Sequence, residues 1–331
     1  MSVTLEDGRC FAADDGDTLL AGALRAGIGF PHECSAGSCG ACRFDLLDGN
    51  IVDRWPEAPG LSARDRARGK RLACQSVLNG DCKIRVRTSS EYIPIHTPKR
   101  QQMVLESVNA LNFDTREFSF RGTQPAEFLP GQYALLTLPE IIRPRPYSMS
   151  NLPNEEGLWQ FIIRRVPDGL ATNALFDILT PGDAITIDGP YGSAWLREDS
   201  PREIVCIAGG SGLGPMLSIA RGALRSTKPV PIHFYYGART AEDICGRTEL
   251  EEMSSADGTT MKYRVALSNP TAKWSGQTGF IHELVENEIG PKLANCEFYF
   301  AGPPAMVNAV QEMLMVRHQV PFTQLHYDRF F

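Results

Sequence analysis

The stretch Cys34-Ser35-Ala36-Gly37-Ser38-Cys39-Gly40-Ala41-Cys42 puts three thiols on one loop, and Cys74 supplies a fourth from another segment. C-x4-C-x2-C with a distant fourth cysteine is a spacing that wraps a [2Fe–2S] cluster. Three thiolates on a tight loop reach around two irons, and Cys74 closes the cage. Gly37 and Gly40, with the small Ser35, Ala36, Ser38 and Ala41, let backbone N–H groups bend over the sulfurs. That stabilises the negative charge of the cluster and tunes its potential. Structural zinc takes paired C-x2–4-C knuckles, and disulfide frameworks belong to small secreted domains. The pattern favours the cluster over both, so Cys34, Cys39, Cys42 and Cys74 are the expected metal ligands.

Two further sets of residues have the types needed to hold cofactors. In Arg143-Pro144-Arg145-Pro146-Tyr147-Ser148-Met149-Ser150-Asn151, Arg145 offers a bidentate fork for a phosphate. Tyr147, two residues on, shares its strand face and has a ring to lay on a planar cofactor. Ser148 adds a hydroxyl for a ring nitrogen. Downstream, Gly169-Leu170-Ala171-Thr172-Asn173 opens a helix whose free N–H groups suit a phosphate. Each of these alone also reads as a surface arginine, a core tyrosine or an ordinary cap. The second set is Ala208-Gly209-Gly210-Ser211-Gly212-Leu213-Gly214-Pro215, between an apolar strand and the helical Met216–Leu224. Its glycines admit a dinucleotide to the backbone, with the pyrophosphate at the helix N-terminus. The spacing is not the strict G-x-G-x-x-G, so a plain strand–turn–helix remains open. Gly237-Ala238-Arg239 and Ala301-Gly302-Pro303-Pro304 end other strands, and ligands of parallel sheets sit at such ends.

The elements that must position these residues fall into three blocks. Residues 1–92 read as a small α+β domain of the β-grasp ferredoxin kind. Asp7-Gly8 and Asp48-Gly49 signal hairpins, the second between Arg43–Leu47 and Asn50–Asp53. Thr18 caps a helix carrying Leu19, Leu20, Ala23 and Leu24 that stops at Gly27. Lys83–Arg87 alternates as a strand, with Ile84 and Val86 inward. Residues 93–100, with two prolines, are a linker. Residues 101–198 carry short strands, Met103–Val108, Glu117–Phe120, Tyr133–Leu138, Trp159–Arg164 and Ala184–Ile187, and one helical stretch, Asn173–Leu179. That suits an antiparallel β-barrel. Residues 199–331 alternate strand and helix, with apolar strands at Ile204–Ala208, Ile232–Tyr236, Tyr263–Leu267 and Glu297–Phe300. That is an α/β domain with a parallel sheet.

The bulk numbers exclude several classes. With 331 residues, 43% of them hydrophobic, the chain can bury two or three cores. A net charge of −6 and a pI near 5.6 argue against a nucleic-acid partner. No apolar run is long enough for a membrane helix, and the start resembles no signal peptide, so a cytoplasmic protein is expected, by default a monomer. Cys10, Cys82, Cys206, Cys245 and Cys296 then read as reduced thiols, most of them packing residues. The six histidines show no catalytic or metal spacing, and His32 is expected at the surface or just behind the cluster ligands. Arg64, Arg66, Arg68, Lys70 and Arg71, against Asp65 alone, form a basic stretch that would steer an acidic electron acceptor, unless it is merely a solvated loop.

With the cysteines, Arg145-Pro146-Tyr147-Ser148 and the glycine loop in this order, the chain resembles the NADH-dependent reductase component of bacterial multicomponent oxygenases over its whole length. Such a protein joins an N-terminal ferredoxin to a ferredoxin–NADP reductase-like module. The resemblance implies FAD, with Arg145 on its pyrophosphate, Tyr147 against the flavin and Ser148 near N5, and Gly169 and Thr172 in the G-x-x-[ST] element. It implies NADH at Gly209, Gly210, Ser211 and Gly212, with Tyr236, Gly237 and Arg239 in Y-G-x-R. Phe330, or failing it Phe331, would cover the flavin ring; a buried terminal strand is the plainer reading. Ala301 stands where many relatives have the cysteine of C-G-P-P. Trp55–Leu61 through Leu72–Gln75 resembles reductases of toluene-type diiron monooxygenases and of carbazole-type dioxygenases. Gly222–Leu224 through Gly237 resembles naphthalene-type reductases. The implied partner is a terminal oxygenase or an intermediary Rieske ferredoxin, its class left open. Glu242 or Asp243, just past the Gly237 strand end, would favour NADH by taking a free ribose hydroxyl, with Arg239 arguing the other way. A stand-alone flavin reductase or diaphorase, and a redox sensor, are the alternatives. The four cysteines argue against the first, and the lack of a DNA-binding segment against the second.

Overall fold

The structure, a computed structural model, describes residues 1–256 and 260–330. It divides into two compact units: residues 1–101, 134–146 and 186–193, and residues 102–133, 147–185 and 194–330.

The N-terminal sheet contains β1 (Ser2–Leu5), β2 (Cys10–Ala12), β3 (Arg43–Asp53), β4 (Lys70–Leu72) and β5 (Ser76–Arg85), in the order β2-β1-β5-β3-β4. Only β1 and β5 run parallel; the other pairs are antiparallel. Helix α1 (Leu19–Arg25) begins where expected, because the Thr18 hydroxyl accepts from Ala21 N at 3.2 Å. It buries Leu19, Leu20, Ala23 and Leu24. A single turn, α2 (Ala63–Ala67), is capped by Ser62. The hairpin expected at Asp48-Gly49 does not form. β3 runs straight through it, pairing with β5 on both sides and shifting register there. A glycine at positive φ serves a β-bulge as well as a turn, so the dipeptide by itself does not distinguish the two.

Arg25, at the end of α1, pairs with Asp17 at 2.8 Å and with Asp188 at 2.6 Å. Arg100 also pairs with Asp17, and the Tyr191 hydroxyl donates to Asp188 at 3.0 Å. Burial pushes the Asp17 carboxyl above its ordinary range, against the pull of the two arginines. This cluster ties the helix of the N-terminal sheet to residues 100, 188 and 191 within one unit.

The second sheet contains β6 (Lys99–Ala110), β7 (Thr115–Arg121), β8 (Tyr133–Thr137), β9 (Arg145–Ser148), β10 (Leu158–Arg164) and β11 (Ala184–Tyr191), in the order β10-β7-β6-β11-β8-β9. Lys99 and Arg100, expected in the linker, are already strand. Met149 bridges to Phe161, and Ser150 N donates to Gln160 O at 2.8 Å, so the two edge strands meet in a nearly closed antiparallel barrel. Its apolar filling includes Phe118, Phe120 and Phe161. The helical stretch starts earlier than expected, as α3 (Leu170–Asn173), and continues as a π turn to Ile178.

The third sheet contains β12 (Glu203–Gly209), β13 (Ile232–Ala238), β14 (Met261–Leu267), β15 (Gln277–Thr278), β16 (Cys296–Gly302) and β17 (Leu325–Arg329). All its strands run parallel, in the order β15-β14-β13-β12-β16-β17. α4 (Leu213–Leu224) and α5 (Arg247–Ala256) pack on one face, and α6 (Ile281–Ile289) and α7 (Pro304–Gln311) on the other. β16 is buried along its whole length and β12 nearly so, which is why both read as continuous apolar runs. The edge strand β15 escaped the sequence reading because it is two residues long, whereas β17 is the terminal strand that the plainer reading of the C-terminus expects.

Beneath this sheet, Glu297 is almost wholly buried and accepts from Ser200 at 2.7 Å and Arg202 at 3.0 Å, with His326 at 2.7 Å. Burial holds the His326 imidazole below its ordinary range, outweighing the carboxylate beside it. A group depressed in the folded state adds stability above its unfolded value, about 6.5 for histidine, and loses it as pH falls below that. The melting temperature should therefore drop between pH 7.5 and 5.5 more in the natural protein than in His326→Gln. Parallel curves would show that this imidazole does not contribute.

Candidate functional site

The cysteine loop turns its backbone toward its own sulfurs. Ala36 N and Cys39 N each donate to Cys34 Sγ at 3.4 Å, and Ala41 N donates to Cys39 Sγ at 3.4 Å. Gln75 Nε2 reaches Cys74 Sγ at 3.6 Å. The Cys39 thiol, joined by backbone amides, pulls the Cys34 thiol down to about 5. Cys42 and burial push Cys74 up. Among the described residues no three metal-ligating groups converge on one point, as the ligands of a single ion would. Two thiolates for each of two adjacent irons is the donor set a [2Fe–2S] cluster needs, and these residues fit it.

The loop is held by residues 55–61. Gly60 N donates to Gly37 O at 2.9 Å. Gly40 has φ +77°, and a Cβ on it would lie 2.4 Å from Gly60 O, so this crossing admits no side chain. The basic stretch beside it is mostly engaged. Arg66 donates to Pro56 O at 2.6 Å and Ala58 O at 3.3 Å, which braces the segment over the loop. Lys70 pairs with Asp65 and Arg71 with Asp53, whereas Arg64 and Arg68 are exposed. His32 is buried rather than at the surface. Its Nδ1 lies 2.9 Å from Phe30 O, and burial lowers its pKa.

On β9, Arg145, Pro146 and Tyr147 are half-buried and Ser148 is buried. Arg145 Nη1 donates to Arg143 O at 2.8 Å. Gly169 caps α3, and Asn173 N donates back to Gly169 O at 2.8 Å, which leaves the amides of Leu170, Ala171 and Thr172 ahead of the helical ladder. The Thr172 hydroxyl is turned inward, 3.1 Å from Gly169 O and 3.2 Å from Val166 N, and so shapes this turn.

The parallel sheet brings the glycine-bearing strand ends side by side. Gly209 pairs with Gly237, Ala208 with Ala301, and Gly302 with Arg329. A Cβ on Gly212 would lie 2.0 Å from Ala301 O, so the loop Gly209–Gly212 sits directly on the end of β16, next to Gly302 and Pro303. Phe330 N donates to Gly302 O at 3.0 Å, and the half-buried ring packs against the core that includes Ala301 and Leu213. The plainer reading of the terminus holds: it is a strand, followed by an aromatic beside Gly302. Phe331 lies outside the described residues.

Past β13, Arg239 and Glu242 are exposed. Asp243 is committed elsewhere: its carboxylate accepts from Thr240 N and Oγ1 at 2.9 Å each and pairs with Arg164 at 2.8 Å. It is therefore not free for a ribose. Tyr236 is also inside, its hydroxyl 3.1 Å from Cys245 Sγ. Arg164 is a residue the sequence did not point to. It holds Asp114 at 2.7 Å as well as Asp243, and its Nη1 lies 3.9 Å from where a Cβ on Gly210 would be. Nothing in the local pattern of β10 signals this, since its partners lie 50 and 79 residues away.

Family descriptions match the three parts in turn: a 2Fe-2S iron-sulfur cluster binding domain over residues 3–79, an oxidoreductase FAD-binding domain over 102–195 and an oxidoreductase NAD-binding domain over 206–312. The chain is 40% identical to the ferredoxin–NAD(P)+ reductase CarAd of Metapseudomonas resinovorans, over 96% of this chain and 95% of that protein. It belongs to the ferredoxin–NAD(P)+ reductase components of oxygenase systems. The ferredoxin–NAD+ reductase component of the alkene monooxygenase system of Xanthobacter autotrophicus is also 40% identical, over 98% of this chain and 99% of that one. The solved ferredoxin reductase in carbazole 1,9a-dioxygenase superposes with a TM-score of 0.92 at 35% identity, covering 100% of this chain and 98% of that one. Members of this family carry a [2Fe–2S] cluster, FAD and an NAD-binding domain, and this chain has all three domains. Among the described residues no helix is long and apolar enough to cross a membrane.

Because Gly40 meets the Gly60 carbonyl, Gly40→Ala must move the loop away from Cys34 and Cys39. Purified Gly40→Ala should contain less than half the iron of the natural protein, measured against FAD, with flavin content unchanged. Equal iron in both would show that the crossing is not needed.

Proposed function

We propose that this chain takes electrons as a hydride pair from NADH and delivers them singly, through its four-cysteine cluster, to an oxygenase component or an intermediary Rieske ferredoxin. The backbone amides turned onto Cys34 and Cys39, with the Gln75 side chain at Cys74, carry this reading. When bound, FAD accepts two electrons together and releases them one at a time, and the protein's part is position, orientation and tuning.

Arg145 supplies the fork for the FAD pyrophosphate, and the turn that Gly169 opens completes its cradle with the amides of Leu170, Ala171 and Thr172. Tyr147 and Phe330 bracket the flavin ring, and the Ser148 hydroxyl serves N5. Gly209, Gly210, Ser211 and Gly212 admit the NADH pyrophosphate at the head of α4. Gly237, Gly302 and Pro303 line the remainder of the crevice, and exposed Arg239 lies at its rim. No general base is required, in keeping with His32, His233, His318 and His326, each hydrogen-bonded to a backbone carbonyl or a carboxylate. A solved structure at 35% identity is the ferredoxin reductase in carbazole 1,9a-dioxygenase and a relative at 40% is the reductase component of an alkene monooxygenase system, so the class of oxygenase is left to experiment.

The decisive experiment is anaerobic titration with one equivalent of NADH, followed by both flavin and iron–sulfur absorption. Both should bleach. Cys39→Ser should keep NADH–ferricyanide turnover while losing at least nine-tenths of NADH–cytochrome c turnover. Full cytochrome c reduction by that variant would make the chain a plain flavin reductase. With Asp243 engaged, Glu242 remains to meet the ribose hydroxyl, so Glu242→Ala should narrow the NADH-over-NADPH preference in kcat/KM several-fold. An unchanged ratio would remove Glu242 from that role.

A further inference from the structure

The cysteine loop and the segment 143–146 are far apart in sequence, yet one stacked pair joins them within a single compact unit. The Arg143 guanidinium carbon lies 3.8 Å from the centre of the Trp55 ring. Trp55 Cε3 lies 3.1 Å from where a Cβ on Gly37 would be, so the indole rests against the backbone of the cysteine loop. Arg54 N, one residue before, donates to Gln75 O at 2.7 Å, which pins the same stretch beside Cys74. On the other side, Arg143 O accepts from Arg145 Nη1 at 2.8 Å, so the arginine that stacks on Trp55 also holds the arginine assigned to the FAD pyrophosphate. Partial burial and the charge of Arg145 both work against a cation at Arg143. An aromatic face is a partner that offsets this through the ring quadrupole without adding a charge of its own.

We propose that the Trp55–Arg143 stack is a positioning contact that fixes the cysteine loop against residues 143–146, which carry the arginine assigned to the FAD pyrophosphate, and so sets the rate of electron transfer from flavin to cluster. The inference rests on the electron path proposed above. In the step concerned, reduced flavin gives up one electron and the cluster gains it, with no covalent bond made or broken. Electron tunnelling falls steeply with distance, so a small displacement of the loop slows this step while leaving hydride transfer at the nicotinamide crevice alone. Neither residue is among those assigned to NADH or to the iron.

The test uses the full-length holoprotein with Trp55→Ala, Arg143→Gln, the conservative Trp55→Phe, and the double variant Trp55→Ala/Arg143→Gln. In anaerobic stopped-flow mixing with NADH, flavin bleaching should stay within twofold of the natural rate. The cluster bleaching that follows should slow at least tenfold in the two disruptive single variants and less than threefold in Trp55→Phe. The double variant should be no slower than the worse single one, as two halves of one contact require. A readout independent of turnover is amide hydrogen exchange. Either disruptive substitution should raise exchange in both segments, residues 36–41 and residues 143–146. Exchange that rises only around the substituted residue, or cluster bleaching at the natural rate with full iron content, would overturn the proposal. If Trp55→Ala loses iron, Arg143→Gln decides, since it leaves the contacts of the loop with residues 58–61 untouched. Failure of the electron path itself would look different, because the cluster of the natural protein would then not bleach with NADH at all.

Discussion

Backbone must come close to sulfur. A cluster of two irons carries negative charge and is stabilised when N–H groups point at its thiolates. A loop that does this turns its side chains away and presses its own backbone on whatever lies behind it. Here that is Gly60, whose carbonyl occupies the space a Cβ on Gly40 would need. Residues 55–61 are therefore shaped by the cysteine loop, and Arg66, Arg54 and the Trp55 ring hold that segment in turn.

The same economy of space governs the nucleotide crevice. Parallel strands deliver their C-terminal ends to one edge, and the loop after β12 lies on the end of β16. Ala301 at this end is wholly buried, and its carbonyl faces Gly212. Charged side chains at the crevice divide their duties. Arg164 and Asp243 neutralise each other across the sheet and barrel segments, leaving Arg239 and Glu242 in solvent.

A second organising feature is the ion cluster of Asp17, Arg25, Arg100 and Asp188. Removing one partner of a buried pair costs more than the pair contributes, because a charge is left without compensation. Such a cluster specifies one arrangement of α1 against residues 100 and 188 more than it adds net stability. The stack of Trp55 on Arg143 has the same character, orienting two segments at little energetic gain.

The chemistry was legible from sequence because it depends on residue type and short spacing. Four thiols in C-x4-C-x2-C with a distant fourth, Arg145-Pro146-Tyr147-Ser148 on one strand, and a glycine loop between an apolar strand and a helix are all local patterns. The three-part architecture followed from periodicity, since alternating strands and fully apolar strands fill different kinds of sheet. What the sequence did not determine are matters of partnership. Asp48-Gly49 became a bulge because β5 lies alongside both halves of β3. Asp243 was claimed by Arg164, Arg66 by two carbonyls, and His32 by the interior, each through contacts whose partners the local pattern does not name. Residue type says what a side chain can do; only the tertiary structure decides which neighbours reach it first, because a charge or hydrogen bond is satisfied by proximity in space and not by order along the chain.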